Sequence, residues 1–470
     1  MKKLALLLVL LGCSGGAAEP NDAAVSDAPT EDVAVADASD AGATEAGPSE
    51  CLGSVPLTYD APTDRDPHQV APPTLGPAGS IVKDPVYGTS ILRLTDETTL
   101  KTTTSFRVAN EFWGNDWSTD AKLFYIQASS SAFLPYTLDP KTLTAARVQD
   151  MANPGSPLAM PLAPGGFSRT EPTIFYGLTG LVIKKFDFAT QVKTTVVDLT
   201  TIVPGATGYA LGVQQGQNGL LAASFGGPEQ DKMPYIVTYD PATQTSHVLD
   251  VITNTFDGKP LATPINGAGV HTFKLDASGR YLEFMVAGTS GDWFWDTQSN
   301  IVAASNSNGS IGWAAWSHGG KGDSYDWNIS TYAAPDASVD LVMPLLSPTD
   351  KLASSSTSWQ NSSSGAGAPL IVETMRQPTD TGPWRAWDGE VIAVRTDGVS
   401  SEVWRFAHNW NTYSGTTYSD NYYYLYIPRV SQNGWFVIFD SNWNGTLGTD
   451  ATGVPRTDAF IVALPNPCGP

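Results

Sequence analysis

The chain has 470 residues, longer than an ordinary domain of about 100–200 residues, with 26 basic and 47 acidic residues and a net charge of −21. A surface of that sign repels phosphate backbones and argues against nucleic acid as a partner. The 14 Trp, 17 Tyr and 17 Phe supply material for a large core.

The N-terminus carries Lys2 and Lys3, then an unbroken apolar run from Leu4 to Leu11, then Gly12-Cys13. That run is too short to cross a bilayer, which takes about 20 residues. A basic head, a short apolar stretch and small residues at the cut read as a secretory signal over residues 1–12. The ending LLGC resembles the lipobox of bacterial lipoproteins, which implies cleavage before Cys13 and lipidation of its sulfur. An ordinary signal followed by an incidental cysteine is the plainer alternative. Ser14 stands where inner-membrane retention signals carry Asp, so the outer membrane is favoured in a two-membrane cell.

Residues 13–50 form an Ala- and Asp-rich acidic tether; from Ala17 to Glu50 there is no aromatic and no basic residue. Such a composition cannot bury enough apolar surface to offset chain entropy, so disorder is expected. Its carboxylates repel one another and extend it. Residues 51–104 read as an extended lead-in and 105–470 as the main domain. Beyond the tether, 24 basic residues face 38 acidic ones. Cys51 and Cys468 bracket this part almost end to end. In an exported chain they are a disulfide pair or two free thiols.

Within the domain a pattern recurs. STDAKLFYI (Ser118 to Ile126), GQNGLLAAS (Gly216 to Ser224), DASGRYLEF (Asp276 to Phe284) and SQNGWFVIF (Ser431 to Phe439) each place a polar turn before an apolar run. These read as tight turns entering buried strands. A second echo is LDPKT, FDFAT, YDPAT and WDTQS, with aspartates at Asp139, Asp187, Asp240 and Asp296 and spacings of 48, 53 and 56 residues. Each Asp can cap its own turn. A period of about 40–55 residues built from short strands predicts an all-β fold, a β-propeller. Seven blades of four antiparallel strands are expected, at 105–150, 165–200, 207–252, 266–304, 310–346, 355–400 and 402–466. GTSILRLTD (Gly88 to Asp96) is a strand suited to close the ring on the last unit. Two β-sandwiches are the competing architecture.

The S-x-[DN]-G-x-x-x-x-F and [YLF]-D-x-x-T patterns resemble the propellers of the TolB type. His408, SQNGWFVIFDSNWNG and TDAFIVAL together are similar to secreted bacterial propellers related to oligogalacturonate lyases. That resemblance implies a divalent metal held by histidines and a glutamine near the axis. His271, His318, His408 and Gln360 are then the candidate ligands, with manganese or calcium as the ion. The same histidines could instead line a wet channel or make structural hydrogen bonds. His68 and His247 lie in a Pro-rich lead-in and beside a surface turn, and are set aside.

Two loops suit binding. WSHGGKGDSYDWN holds Trp316, His318, Lys321, Asp323, Asp326 and Trp327; the stretch from Phe406 to Tyr424 holds His408, Trp410, Tyr413 and Tyr418. Aromatic faces beside amides, carboxylates and hydroxyls suit sugar rings; packing between blades uses the same aromatics. DSNWNGTLGTDA (Asp440 to Ala451) matches the start of a calcium loop but lacks its closing Glu, and an Asn-Gly turn explains the same residues. The G-x-S-x-G match lies inside the export signal, and no phosphate loop or H-E-x-x-H occurs.

Three readings follow. One is a lipid-anchored envelope propeller, exported to the periplasmic or outer face of the cell, that binds a glycan, peptide or envelope partner through its axial face and loops. Another is a metal-dependent polysaccharide lyase, with His408 or Lys321 as the base that takes a proton beside a uronate carboxylate. The third is a structural role in envelope assembly. The partners expected are the bilayer, through Cys13, and a polysaccharide or envelope protein.

Overall fold

A computed structural model describes residues 55–100, 104–108, 114–129, 132–162, 165–289, 292–304, 360–361, 368–375, 382–395, 402–412, 428–451 and 453–467, together with the strands Cys51–Leu52, Trp316–His318, Asp326–Ile329, Asp340–Pro344 and Ser354–Ser358. The segment Pro48–Pro470 forms one compact unit, separate from Met1–Gly47. Cys13 and the tether lie outside the described residues.

The unit is a β-propeller. Among the described residues six sheets carry four or more strands, and consecutive strands pair as antiparallel neighbours. The first runs Phe106–Val108, Leu123–Ala128, Phe133–Asp139 and Thr144–Arg147; the second Gly165–Phe167, Ile174–Thr179, Val182–Asp187 and Val192–Asp198. The third begins with Tyr209–Gln215, Leu221–Gly227, Tyr235–Asp240 and Thr245–Asp250, and the fourth with Val270–Leu275 and Tyr281–Val286. The penultimate sheet contains Ser354–Ser358, Leu370–Met375, Glu390–Val394 and Val403–His408. The last contains Arg429–Val430, Phe436–Ser441 and Asp458–Ala463. Most of the unit expected at 310–346 lies outside the described residues.

Packing runs from sheet to sheet. Phe167 and Phe175 of the second sheet share a cluster with Tyr125 of the first. Ile183 meets Val213 and Phe225 of the third, and Leu211 and Ile236 meet Phe273 and Trp295 of the fourth. The penultimate and last sheets join through Ile371, Phe406, Val437 and Phe460. The circuit is completed where Ile438 and Ile461 of the last sheet pack on Phe106 and Phe124 of the first. Each fully buried side chain of this size contributes about 1.5–3 kcal/mol by leaving water.

The ring closes through the lead-in. Ser90–Arg93 pairs with Asp458–Ala463, Ile91 opposite Val462, which covers an edge that would otherwise be open. Arg93 reaches Asp458 at 2.5 Å and Arg456 reaches it at 3.0 Å. Val403–His408 pairs with Glu390–Val394 as the far strand of the penultimate sheet. The start of the unit expected at 402–466 therefore belongs to the penultimate sheet, and His408 ends that sheet rather than starting the next.

The recurring aspartates act as turn caps. Asp139 accepts from Lys141 N at 3.0 Å and Thr142 Oγ1 at 2.8 Å. Asp187 and Asp240 repeat the pattern with Ala189 and Thr190, and with Ala242 and Thr243. Asp296 accepts from Gln298 N and from Arg280. The residue four positions after each, Leu143, Gln191, Gln244 and Asn300, has φ between 50° and 58°. That left-handed residue closes the hairpin as a bulge. At the other turns Ser118, Asp276 and Ser431 accept from the amides of Leu123, Tyr281 and Phe436. The helix among the described residues is the single turn Leu199–Ile202, capped by Asp198, and no described helix is long and apolar enough to cross a membrane.

Candidate axial binding site

The strands Tyr209–Gln215, Val270–Leu275 and Arg429–Val430, with Asn115, Arg169 and Gln360 from connecting segments, bring polar side chains to one cavity of about 20 Å³, bordered by Asn115, Arg169, Gln214, Gln215, Lys274, Gln360 and Arg429. That volume holds one small ordered group. Two glycines let the backbones approach. A Cβ on Gly166 would lie 2.4 Å from Asn115 N, and one on Gly114, at φ +125°, would lie 3.0 Å from Val213 O.

Amide side chains stitch neighbouring sheets here. Gln214 donates to Phe273 O at 3.0 Å and accepts from Leu275 N at 2.8 Å. Gln215 accepts from Ser168 Oγ at 2.6 Å and Arg169 N at 3.0 Å. Gln432 donates to Trp117 O and Ser168 O, tying the last sheet to the first two. Asn115 and Gln360 donate to Phe167 O and Gly114 O. Those donations fix how the two amides face. Their oxygens, Asn115 Oδ1 and Gln360 Oε1, are buried and accept no hydrogen bond.

The site is cationic. Arg169 is 8% exposed and donates from Nη1 to Gln360 O at 3.0 Å. Burial lowers it to about 10, opposed by the charge of Asp276, so it stays protonated at neutral pH. No described carboxylate forms an ion pair with it. Lys274 and Arg429 are buried beside it. Arg429 Nε lies 2.6 Å from Asp116 Oδ2. Burial raises Asp116 to about 6, while Arg429, Tyr125 and Lys274 pull it down.

Of the residues singled out from the sequence, Gln360 reaches this cavity. His271 begins the fourth sheet's first strand, three residues before Lys274 and about 10 Å from it at roughly 3.3 Å per residue. Its Nδ1 is bonded to Asp231 Oδ1, and Gln230 donates to its carbonyl at 2.9 Å. His408 is buried on the far strand of the penultimate sheet. Its Nδ1 lies 2.9 Å from Asp84 Oδ2 in the lead-in, and its ring stacks with Tyr87 and Trp410. Burial raises the Asp84 carboxyl, but the bonds from His408 outweigh it and hold that group below the usual range. His408 and Gln360 therefore do not share a centre. Among the described residues no group of three or more His, Cys, Asp or Glu could hold an ion. The described side chains do not fit the metal centre that the lyase resemblance implies.

His408 instead clamps the lead-in. Nearby, Arg405 bonds Glu390 at 2.5 Å and Asp64 at 2.7 Å. Trp410, 8% exposed, donates from Nε1 to Val70 O and packs on Trp443, which donates to Pro73 O. Trp410 is thus a packing residue whose ring is not offered to solvent. Trp316 and His318 lie in a strand paired with Ser354–Ser358, and Asp326 and Trp327 in a strand paired with Asp340–Pro344. Their side chains, and Lys321, Asp323, Tyr413, Tyr418 and Cys468 entirely, lie outside the described residues. In DSNWNG, Asn442 spends Oδ1 on Thr412 N and Gly445 N. Trp443, Asn444 and Gly445 have φ of 50°, 59° and 72°. This is a turn, with Asp440 buried in the preceding strand, and not a calcium loop.

The axial cluster went unnoticed in the sequence, although a signal exists. Two positions before the turn residues Ser118, Ser168, Gly216, Asp276 and Ser431 stand Asp116, Gly166, Gln214, Lys274 and Arg429. Aligning the turns picks out Gln214, Lys274 and Arg429 of the cavity lining, and places Asp116 and Gly166 next to Asn115 and near Arg169.

No protein-family model matches the sequence, and no curated protein matches it. Among solved structures, an oligogalacturonate lyase in complex with manganese is similar at 12% identity and TM-score 0.42, over 85% of this chain and 100% of that one. A chain of a mitotic checkpoint complex is similar at 12% identity and TM-score 0.38, over 86% and 96%. TolB from Acinetobacter baumannii is similar at 12% identity and TM-score 0.26, over 69% and 64%.

Proposed function

We propose that this chain is a cell-envelope binding propeller, exported and held to a membrane through a lipid on Cys13, that takes part of a glycan, peptide or envelope partner into its axial cavity. The observation that supports it is the pair of buried acceptors, Asn115 Oδ1 and Gln360 Oε1, which receive no hydrogen bond at a cavity that they border with Arg169, Gln214, Lys274 and Arg429. A buried polar atom without a partner costs about 1–3 kcal/mol, and a bound ligand that donates to both would remove that cost. The acidic tether gives the propeller reach from its anchor, and the outer membrane is the proposed address. The polysaccharide-lyase reading has no comparable support, because His408 and Gln360 stand apart.

The test uses the Pro48–Pro470 unit immobilised and exposed to glycan arrays and to solubilised envelope. A specific ligand should be retained, and Gln360→Trp, which fills the cavity, should abolish retention while circular dichroism stays unchanged. Absence of any retained ligand, or retention indifferent to the filled cavity, sinks the proposal.

A further inference from the structure

We infer that the axial cavity is an oxyanion site: Arg169, Lys274 and Arg429 receive a carboxylate or phosphate group that also carries a hydroxyl. This inference rests on the axial-binding reading and names the chemistry of its ligand.

Three cationic side chains border one cavity inside a protein whose net charge is −21. Bulk composition therefore does not explain them. Buried charges are ordinarily paired, because desolvation is costly without a counter-charge. Arg429 has Asp116 at 2.6 Å, and Lys274 acts electrostatically on the same carboxylate. Arg169 is more than nine-tenths buried and forms no ion pair among the described residues; its hydrogen bond goes to a neutral carbonyl, Gln360 O. Asp276 acts on Arg169 only through its charge, so the Arg169 guanidinium has no carboxylate bonded to it among the described residues. An oxyanion in the cavity would supply the missing charge and accept from the guanidinium fork, the arrangement that planar carboxylate and tetrahedral phosphate both favour.

The hydroxyl follows from the amides. Asn115 and Gln360 turn oxygens, not nitrogens, to the buried space, since their nitrogens are committed to Phe167 O and Gly114 O. A bare anion offers these oxygens nothing. A hydroxy-carboxylate, or a phosphate that retains a proton, both accepts from the cations and donates to the amides. The small volume limits entry to the charged end of the ligand.

The experiment is calorimetry and thermal shift on the Pro48–Pro470 unit with glycerate, propionate and inorganic phosphate, all with EDTA present. Glycerate or phosphate should bind at one site and raise the melting temperature, and propionate should bind about tenfold more weakly, the cost of leaving the two acceptors unmet. Arg169→Gln should weaken binding by about tenfold or more, with Arg169→Lys in between. No binding of any of the three at millimolar concentration overturns the inference. So does binding unchanged in a folded Arg169→Gln protein. Equal affinity for propionate overturns the hydroxyl requirement. Should Arg169→Gln not fold, the wild-type series with EDTA still decides. Retention of an envelope ligand without any anion binding refutes this inference and leaves the axial reading standing; anion binding with no envelope ligand does the reverse.

Discussion

The amide of Asp60 donates to the carbonyl of Pro465 at 3.0 Å, so the beginning and end of the folded unit run side by side. Cys51 lies nine residues before one partner and Cys468 three residues after the other. A Cys51–Cys468 disulfide is expected under oxidising conditions. Thiol titration of the denatured, unreduced chain should find neither cysteine free, and Cys51→Ser should cost on the order of 2–4 kcal/mol of stability. Free thiols at both positions would refute the bridge.

Ile91 is fully buried opposite Val462, whereas Ile81, in the adjoining strand of the same lead-in, is 44% exposed. Ile91→Ala should destabilise by about 2–4 kcal/mol, and Ile81→Ala by less than about 0.5 kcal/mol. Urea unfolding of the two variants checks the difference; equal effects would mean the closing strand contributes little.

Gly166 faces Asn115 N so closely that a methyl has no room. Because the obstacle is backbone, Gly166→Ala should either prevent folding or lower the midpoint by more than about 2 kcal/mol. Gly180, at φ +60° in open space, should lose only about 1 kcal/mol on the same change. A well-folded Gly166→Ala protein of normal stability would contradict the axial packing.

Glu373 and Asp440 are buried acids on neighbouring sheets. Burial raises Glu373 well above the carboxylate range, and the charge of Asp440 adds to the rise. Burial lifts Asp440 to about 7, against the pull of Val108 N–H, Arg107 and Arg429. Across the interval between about pH 4 and 7 the folded chain holds protons that the unfolded chain has released, so stability falls as pH rises, by about 1.4 kcal/mol per unit for each proton retained. The melting temperature should be higher at pH 5.5 than at pH 8, and Asp440→Asn should flatten the slope. An Asp440→Asn slope equal to that of the wild type would show that this carboxyl does not titrate there.

His408→Gln should lower stability, because Asp84 loses its partner, yet leave ligand affinity at the axis unchanged. Calorimetry on the folded variant separates the two; a loss of affinity with intact stability would return His408 to the binding site.

The repeat was legible because Asp139, Asp187, Asp240 and Asp296 do local work. Each cap is made with residues two or three positions on, so its signal survives in a linear reading. Ser90–Arg93 was legible as a closing strand, since its apolar residues stand ahead of the first repeating unit. The site was not. Arg169 meets Gln360 across 191 positions, and nothing in FSRTEP marks that encounter. His408 misled for the opposite reason: a histidine beside aromatics suggests a ligand pocket, but Asp84, 324 positions away, decides its role. Trp410 looked like a sugar platform until its indole N–H was found on Val70 O.

The strand that seals the ring belongs to residues 90–93, while its partner Asp458–Ala463 begins 365 positions later. A polypeptide made from its N-terminus must keep Ile91 and Leu92 waiting until that partner strand has been synthesised. Any product cut short before residue 458 would present an unsatisfied apolar ribbon at one end and an open sheet at the other. Proteases and chaperones recognise such surfaces, so this architecture makes completeness of the chain a condition for its survival.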